Sequence, residues 1–93
     1  MESVIRWTRL DSYDYRLRKS RSKFDGDGMR YVNIYITVDS PSDPEIADIS
    51  TSINSNGGMI YVEGLYLGLI DMDMLKDRKT LRIRTVEIQK EID

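Results

Sequence analysis

Apolar and polar positions alternate most regularly between Arg30 and Val38. Val32, Ile34, Ile36 and Val38 share one parity; Tyr31, Asn33, Tyr35 and Thr37 share the other. Strand side chains alternate sides, so this segment predicts a β-strand with one face for a core and a second, tyrosine-bearing face for something else. The longest apolar run, Asn56 to Leu69, opens with Gly57-Gly58 and contains Gly64. A β-rich run interrupted once by glycine predicts a central strand that bends at the glycine, as a small closed sheet requires. Val4 to Leu10 reads as a further strand. Tyr13, Tyr15 and Leu17 alternate with Asp14, Arg16 and Arg18, which predicts a half-buried strand. Lys19 to Gly28 is polar and ends in two glycines, the composition of a hairpin loop.

Asp39-Ser40-Pro41-Ser42 breaks the pattern, and Asp43-Pro44-Glu45 then carries the marks of a helix start. Asp43 can cap, Pro44 suits the first helical position and Glu45 favours the positive end of the dipole. Ile46, Ile49 and Ile53 follow on one stripe beside Ala47, with Asn54 or Gly57 as the stop. Asp71 to Lys79 reads as a polar loop. Thr80 to Gln89 closes the pattern as a strand. Leu81 and Ile83 hold one parity there, Val86 and Ile88 the other, which predicts a bulge near Arg84-Thr85. Lys90 to Asp93 is a charged tail. The order is strand, strand, strand, helix, strand, strand. That is the order of a five-stranded OB-fold-like barrel, all-β apart from one short helix, in a single domain over 1–93.

Composition narrows the chemistry. The 93 residues support one modest core. Without cysteine there is no disulfide or thiolate site, and an intracellular, cytoplasmic protein (host cytoplasm if viral) is the expectation. Without histidine, the commonest general base and metal ligand is missing. No stretch reaches the ~20 apolar residues of a membrane-spanning helix. Charge is uneven. Residues 1–30 hold eight Lys or Arg against five acids; residues 31–75 hold seven acids and no base; residues 76–93 hold six bases against four acids. If the two basic ends lie together in the fold, they form one patch able to face a nucleic acid in spite of the net charge of -2. A mixed, solvated surface is the plainer reading of the same charges.

Three stretches resemble the bacterial-type single-stranded DNA-binding proteins and the primosomal branch of that fold. They are Trp7-Thr8-Arg9-Leu10 with Leu17-Arg18, Val32 to Val38, and Gly58-Met59-Ile60-Tyr61-Val62-Glu63-Gly64, with Ile88-Gln89 matching the end of the last strand. The resemblance, to a divergent, tail-less relative, implies an OB barrel that binds single-stranded DNA or RNA without reading sequence. It also implies a homodimer formed through strand edges.

Binding of this kind needs aromatic faces for bases and cations for phosphates. The candidate stacking residues are Tyr31 and Tyr35, then Tyr15 and Tyr61. The candidate phosphate contacts are Arg9, Arg16, Arg18, Lys19, Arg82 and Arg84. Each tyrosine has the alternative of closing the rim of the core, and Trp7 is expected in the core. Asp25-Gly26-Asp27-Gly28 lacks the later ligands of a calcium loop, and Asp71 with Asp73 is accounted for by turn chemistry. No nucleophile–base pair or carboxylate pair in an apolar cleft is evident, so no enzyme, metal or cofactor is expected. A competing use is a small viral or mobile-element interaction or inhibitor protein that presents its acidic centre to a partner. A third is a structural subunit assembled through its apolar strand edges.

Overall fold

The computed structural model describes residues 5–21 and 29–88. The Asp25–Gly28 stretch and the Lys90–Asp93 tail lie outside the described residues. Six strands and one helix follow in chain order: β1 (Thr8–Arg9), β2 (Tyr15–Arg21), β3 (Arg30–Thr37), α1 (Pro44–Ser55), β4 (Met59–Val62), β5 (Leu65–Met74) and β6 (Thr80–Glu87). They form one mixed sheet in the order β1-β4-β5-β6-β3-β2, in which only the β1–β4 pair is parallel. The sheet curls into a half-barrel. Its two edge strands, β1 and β2, are joined by only the few residues from Leu10 to Asp14, so the curl has to bring the edges towards each other.

The mostly β class with one helix after the third strand agrees with the sequence pattern. The strand count and the OB order do not. Asn56–Leu69 is not one bent strand. Glu63 and Gly64 both have positive φ, 51° and 79°, and two such residues make the tight turn that reverses a hairpin. Val62 therefore pairs with Leu65 and Tyr61 with Tyr66. A non-glycine residue at positive φ is strained by about 1–2 kcal/mol, and Glu63 is held there from both ends. Its N–H donates to Asp11 Oδ1 at 2.9 Å, and its carboxylate accepts from the Tyr15 hydroxyl at 2.8 Å. These bonds tie β2 and the β1–β2 connection to the β4–β5 turn, across the open side of the half-barrel.

Two further boundaries move. Lys19 belongs to β2, and Asp71 to Met74 belong to β5, so the polar loops are shorter than their composition implied. The second turn is closed by Asp77, which accepts from the Lys79 and Thr80 N–H groups and the Thr80 hydroxyl. These bonds, that to the Thr80 side chain first, hold its carboxyl below the usual range. The bulge lies on β5, not β6: Leu69 faces Thr85 and Asp71 faces Arg84, leaving Ile70 between them. On β6 the parity never changes. Thr85 is fully buried, and its hydroxyl donates to the Val32 carbonyl at 2.7 Å. A threonine satisfied in this way fills a core position that an apolar count overlooks.

One face of the sheet makes the core. Val32, Ile34 and Ile36 of β3, Leu81 and Ile83 of β6, Ile60 and Val62 of β4 and Leu67 of β5 are all buried there. The helix covers this face with Ile49 and Ile53, both fully buried, while Ile46 is half-buried. Burial of each isoleucine contributes about 1.5–3 kcal/mol, enough to hold a helix whose β-branched and serine residues make it weak alone. The helix begins where the sequence placed it. Asp43 caps it by accepting from Glu45 N–H at 2.9 Å, and Pro44 occupies the first position. At the other end Asn56 donates to Thr8 Oγ1, and Ser52 shares a hydrogen bond with the same hydroxyl, which fixes the last turn on β1. No helix among the described residues is long and apolar enough to cross a membrane.

Candidate nucleic-acid interface

The face turned away from the helix follows from strand register. Residues directly opposite on adjacent strands share a face, and the pairings line up in three rows. Arg16, Tyr35, Arg82 and Asp73 form one; Arg18, Asn33, Arg84 and Asp71 form the next; Tyr31, Val86, Gly68 and Met59 form the third. Rows are ~7 Å apart along the strands and neighbours within a row ~4.8 Å apart. Tyr31 and Tyr35 thus stand on one strand with Asn33 between them. The Arg16 guanidinium lies 5.9 Å from the Tyr35 ring centre, a distance at which the cation is drawn to the ring.

Most of the residues singled out by sequence are brought together here. Arg16, Arg18, Tyr31, Tyr35, Arg82 and Arg84 occupy one continuous surface on β2, β3 and β6. The two basic ends of the chain do meet, with β3 between them. Arg9 and Tyr61 are on the same face at the far side of the sheet, with the Arg9 guanidinium 4.7 Å from the Tyr61 ring centre. Tyr15 and Lys19 have the wrong parity. Tyr15 sits opposite Ile36 and packs against the core, and Lys19 sits opposite Val32. The Tyr15 hydroxyl is committed to Glu63, whose carboxylate pushes its pKa up to about 12.

Trp7 is not in the core. It is half-buried on the outer face, edge-on to Tyr66 at 4.9 Å, and Tyr66 is edge-on to Tyr61 at 5.1 Å. Trp7, which the sequence placed in the core, and Tyr66, which it passed over, are therefore members of this face. Reading Glu63-Gly64 as a two-residue turn would have found Tyr66, because such a turn sets it directly opposite Tyr61.

The cations differ in availability. Arg82 donates to both oxygens of Asp73, from Nε at 2.8 Å and Nη2 at 2.6 Å; Arg84 pairs with Asp71 at 3.5 Å. The guanidinium of Arg82 holds the Asp73 carboxyl below the usual carboxylate range. These pairs are partly exposed and so only lightly stabilising. No ion pair among the described residues engages Arg9, Arg16, Arg18 or Lys19. The acidic centre of the chain is not one surface. Asp39, Asp43, Glu45 and Asp48 lie just before α1 or in its first turns, Glu63 is in the β4–β5 turn, and Asp71 and Asp73 neutralise arginines on the opposite face.

No family model, no curated protein and no solved structure matches this chain. The arrangement of side chains itself is what bears on function.

Proposed function

We propose that the protein binds single-stranded nucleic acid across the outer face of β2, β3 and β6, without reading sequence. The observation that supports this most is the register that sets Tyr31 and Tyr35 on β3 beside the guanidiniums of Arg16 and Arg18 on β2, which no ion pair among the described residues engages. A backbone lying along β2 meets two cations at the spacing of alternate strand residues, and its bases reach the two tyrosine rings on the next strand. Stacking contributes about 1–3 kcal/mol per base, so two rings with two phosphate contacts suffice for micromolar binding. The resemblance of Val32–Val38 to the second long strand of the single-stranded DNA-binding proteins points the same way. Arg9 with Tyr61, Tyr66 and Trp7 extends the face for a longer strand. Arg82 and Arg84 take a supporting part, because their carboxylate partners must first be displaced. β2 is also the long open edge. A second copy pairing antiparallel along it would set Arg16 and Arg18 against like charges, which disfavours a dimer at this edge.

The test is a titration of a labelled oligothymidylate at several salt concentrations. Two phosphate contacts give a slope of log affinity on log salt of about -1.4, at ~0.7 per contact for single strands. Failure to bind at low salt would remove the proposal.

A further inference from the structure

The β5 bulge decides which residue faces Arg84. Without the extra residue, Ile70 would stand opposite Arg84, and Asp71 would point into the core opposite Ile83. With it, Ile70 is set aside, half its surface exposed at 52%, and Asp71 and Asp73 both come to the outer face. There they pair with Arg84 and Arg82 and cancel the positive charge of β6, so that the basic part of the face ends at β3.

We infer that Asp71 and Asp73 are specificity-determining residues that make this face select single strands over duplexes; the inference rests on the interface proposed above. The distance is what discriminates. β2 and β5 are separated by β6 and β3, three strand spacings, or ~14 Å. The two backbones flanking the major groove of a duplex stand ~12 Å apart. A duplex with one backbone on Arg16 and Arg18 therefore brings its second backbone over the Asp71–Arg84 and Asp73–Arg82 pairs, where the cations are already taken and carboxylates face the phosphates. A single strand has no second backbone. It keeps its phosphates on β2 and its bases over β3, and the arginines of β6, already neutralised, neither attract nor repel it strongly. The bulge thereby turns an otherwise broadly basic sheet into a track one strand wide.

The experiment compares oligothymidylate and a short mixed-sequence duplex, by fluorescence anisotropy, on the wild-type protein and on D71N/D73N, with D71E/D73E as the charge-keeping control. Wild type and D71E/D73E should prefer the single strand. In D71N/D73N the preference should fall about tenfold, chiefly through tighter duplex binding. The single-strand salt slope should steepen by at most ~1.4 as two arginines are released. An unchanged preference in a folded D71N/D73N overturns the inference while leaving the interface standing. Binding of neither probe by any of the three proteins removes the interface and this inference together. If thermal melting shows that the double variant does not fold, D73N alone carries the test. It frees the bidentate arginine and should show part of the same shift, and its failure to do so overturns the inference equally.

Discussion

Replacing Tyr35 with alanine separates the proposed interface from a merely structural tyrosine. Tyr35 stands in the middle of β3, half-buried, opposite Arg16 on one side and Arg82 on the other. Its ring faces away from the core, so truncation opens no internal cavity, and the fold should lose little stability. The binding cost is that of one stacked base, about 1–3 kcal/mol, or roughly 5- to 150-fold in affinity at 1.4 kcal/mol per tenfold. The Arg16 guanidinium also loses the ring beneath it, which places the effect above the lower limit. Tyr35→Phe keeps the ring and should bind within about twofold of wild type. Tyr15→Ala is the matched control from the opposite parity. It should leave affinity unchanged and lower thermal stability instead, since Tyr15 packs on the core and bonds Glu63. The assay is anisotropy with the oligothymidylate at low salt, with melting curves for each variant. Equal affinity for wild type and a folded Tyr35→Ala refutes the stacking argument. So does a loss of binding in Tyr15→Ala as large as that in Tyr35→Ala.

Gly58 and Gly64 both have positive φ, but only at Gly58 would an added Cβ meet the fold, 3.0 Å from Leu69 Cβ. Gly64→Ala should cost about 1–2 kcal/mol for the backbone alone. Gly58→Ala should cost more, and chemical denaturation of the two variants side by side ranks them. The Tyr15–Glu63 bond gives an alkaline signature. The tyrosine pKa is raised in the folded protein, so its contribution is complete below the ordinary value near 10 and is lost as pH rises towards about 12. Melting temperature should therefore fall across that window in wild type and fall less in Tyr15→Phe, and parallel curves would show that the hydroxyl contributes nothing.

The helix was legible to the residue because its start is local chemistry: an aspartate cap, a proline and an isoleucine stripe need no tertiary information. β3 was legible because both its faces are pure. The errors arose where one residue type admits two geometries. Gly64 permits either a bend or a reversal, and only the partnership of Glu63 with Asp11 and Tyr15, residues far away in sequence, makes the reversal hold. Thr85 looks polar but is spent on the Val32 carbonyl in the core, while Val86 is apolar on the outer face, so the apparent phase change on β6 was no change of parity at all. The functional face inherited these gains and losses. Parity on β3 placed Tyr31 and Tyr35, and parity on β2 placed Arg16 and Arg18. Tyr15 was chosen by residue type against parity and Lys19 was read as part of a loop, and the structure sets both on the other side. The capture of Arg82 by Asp73 depends on the bulge, which no alternation of apolar residues could reveal.

The short link between the two edge strands also sets the order in which the chain can assemble. The β4–β5 and β5–β6 hairpins close over tight turns and can form early, because loop closure there costs little entropy. The β1–β4 pairing and the Tyr15–Glu63 bond join positions far apart, 48 residues for the bond, and their closure costs more entropy. Non-local closure of this kind slows folding. It also leaves the seam between β1, β2 and the β4–β5 turn as the place where the finished molecule first comes apart. Under native-state hydrogen exchange, the amides of Leu10 and Glu63, which bond to Tyr61 and Asp11 across that seam, should exchange before those of β3 and β6.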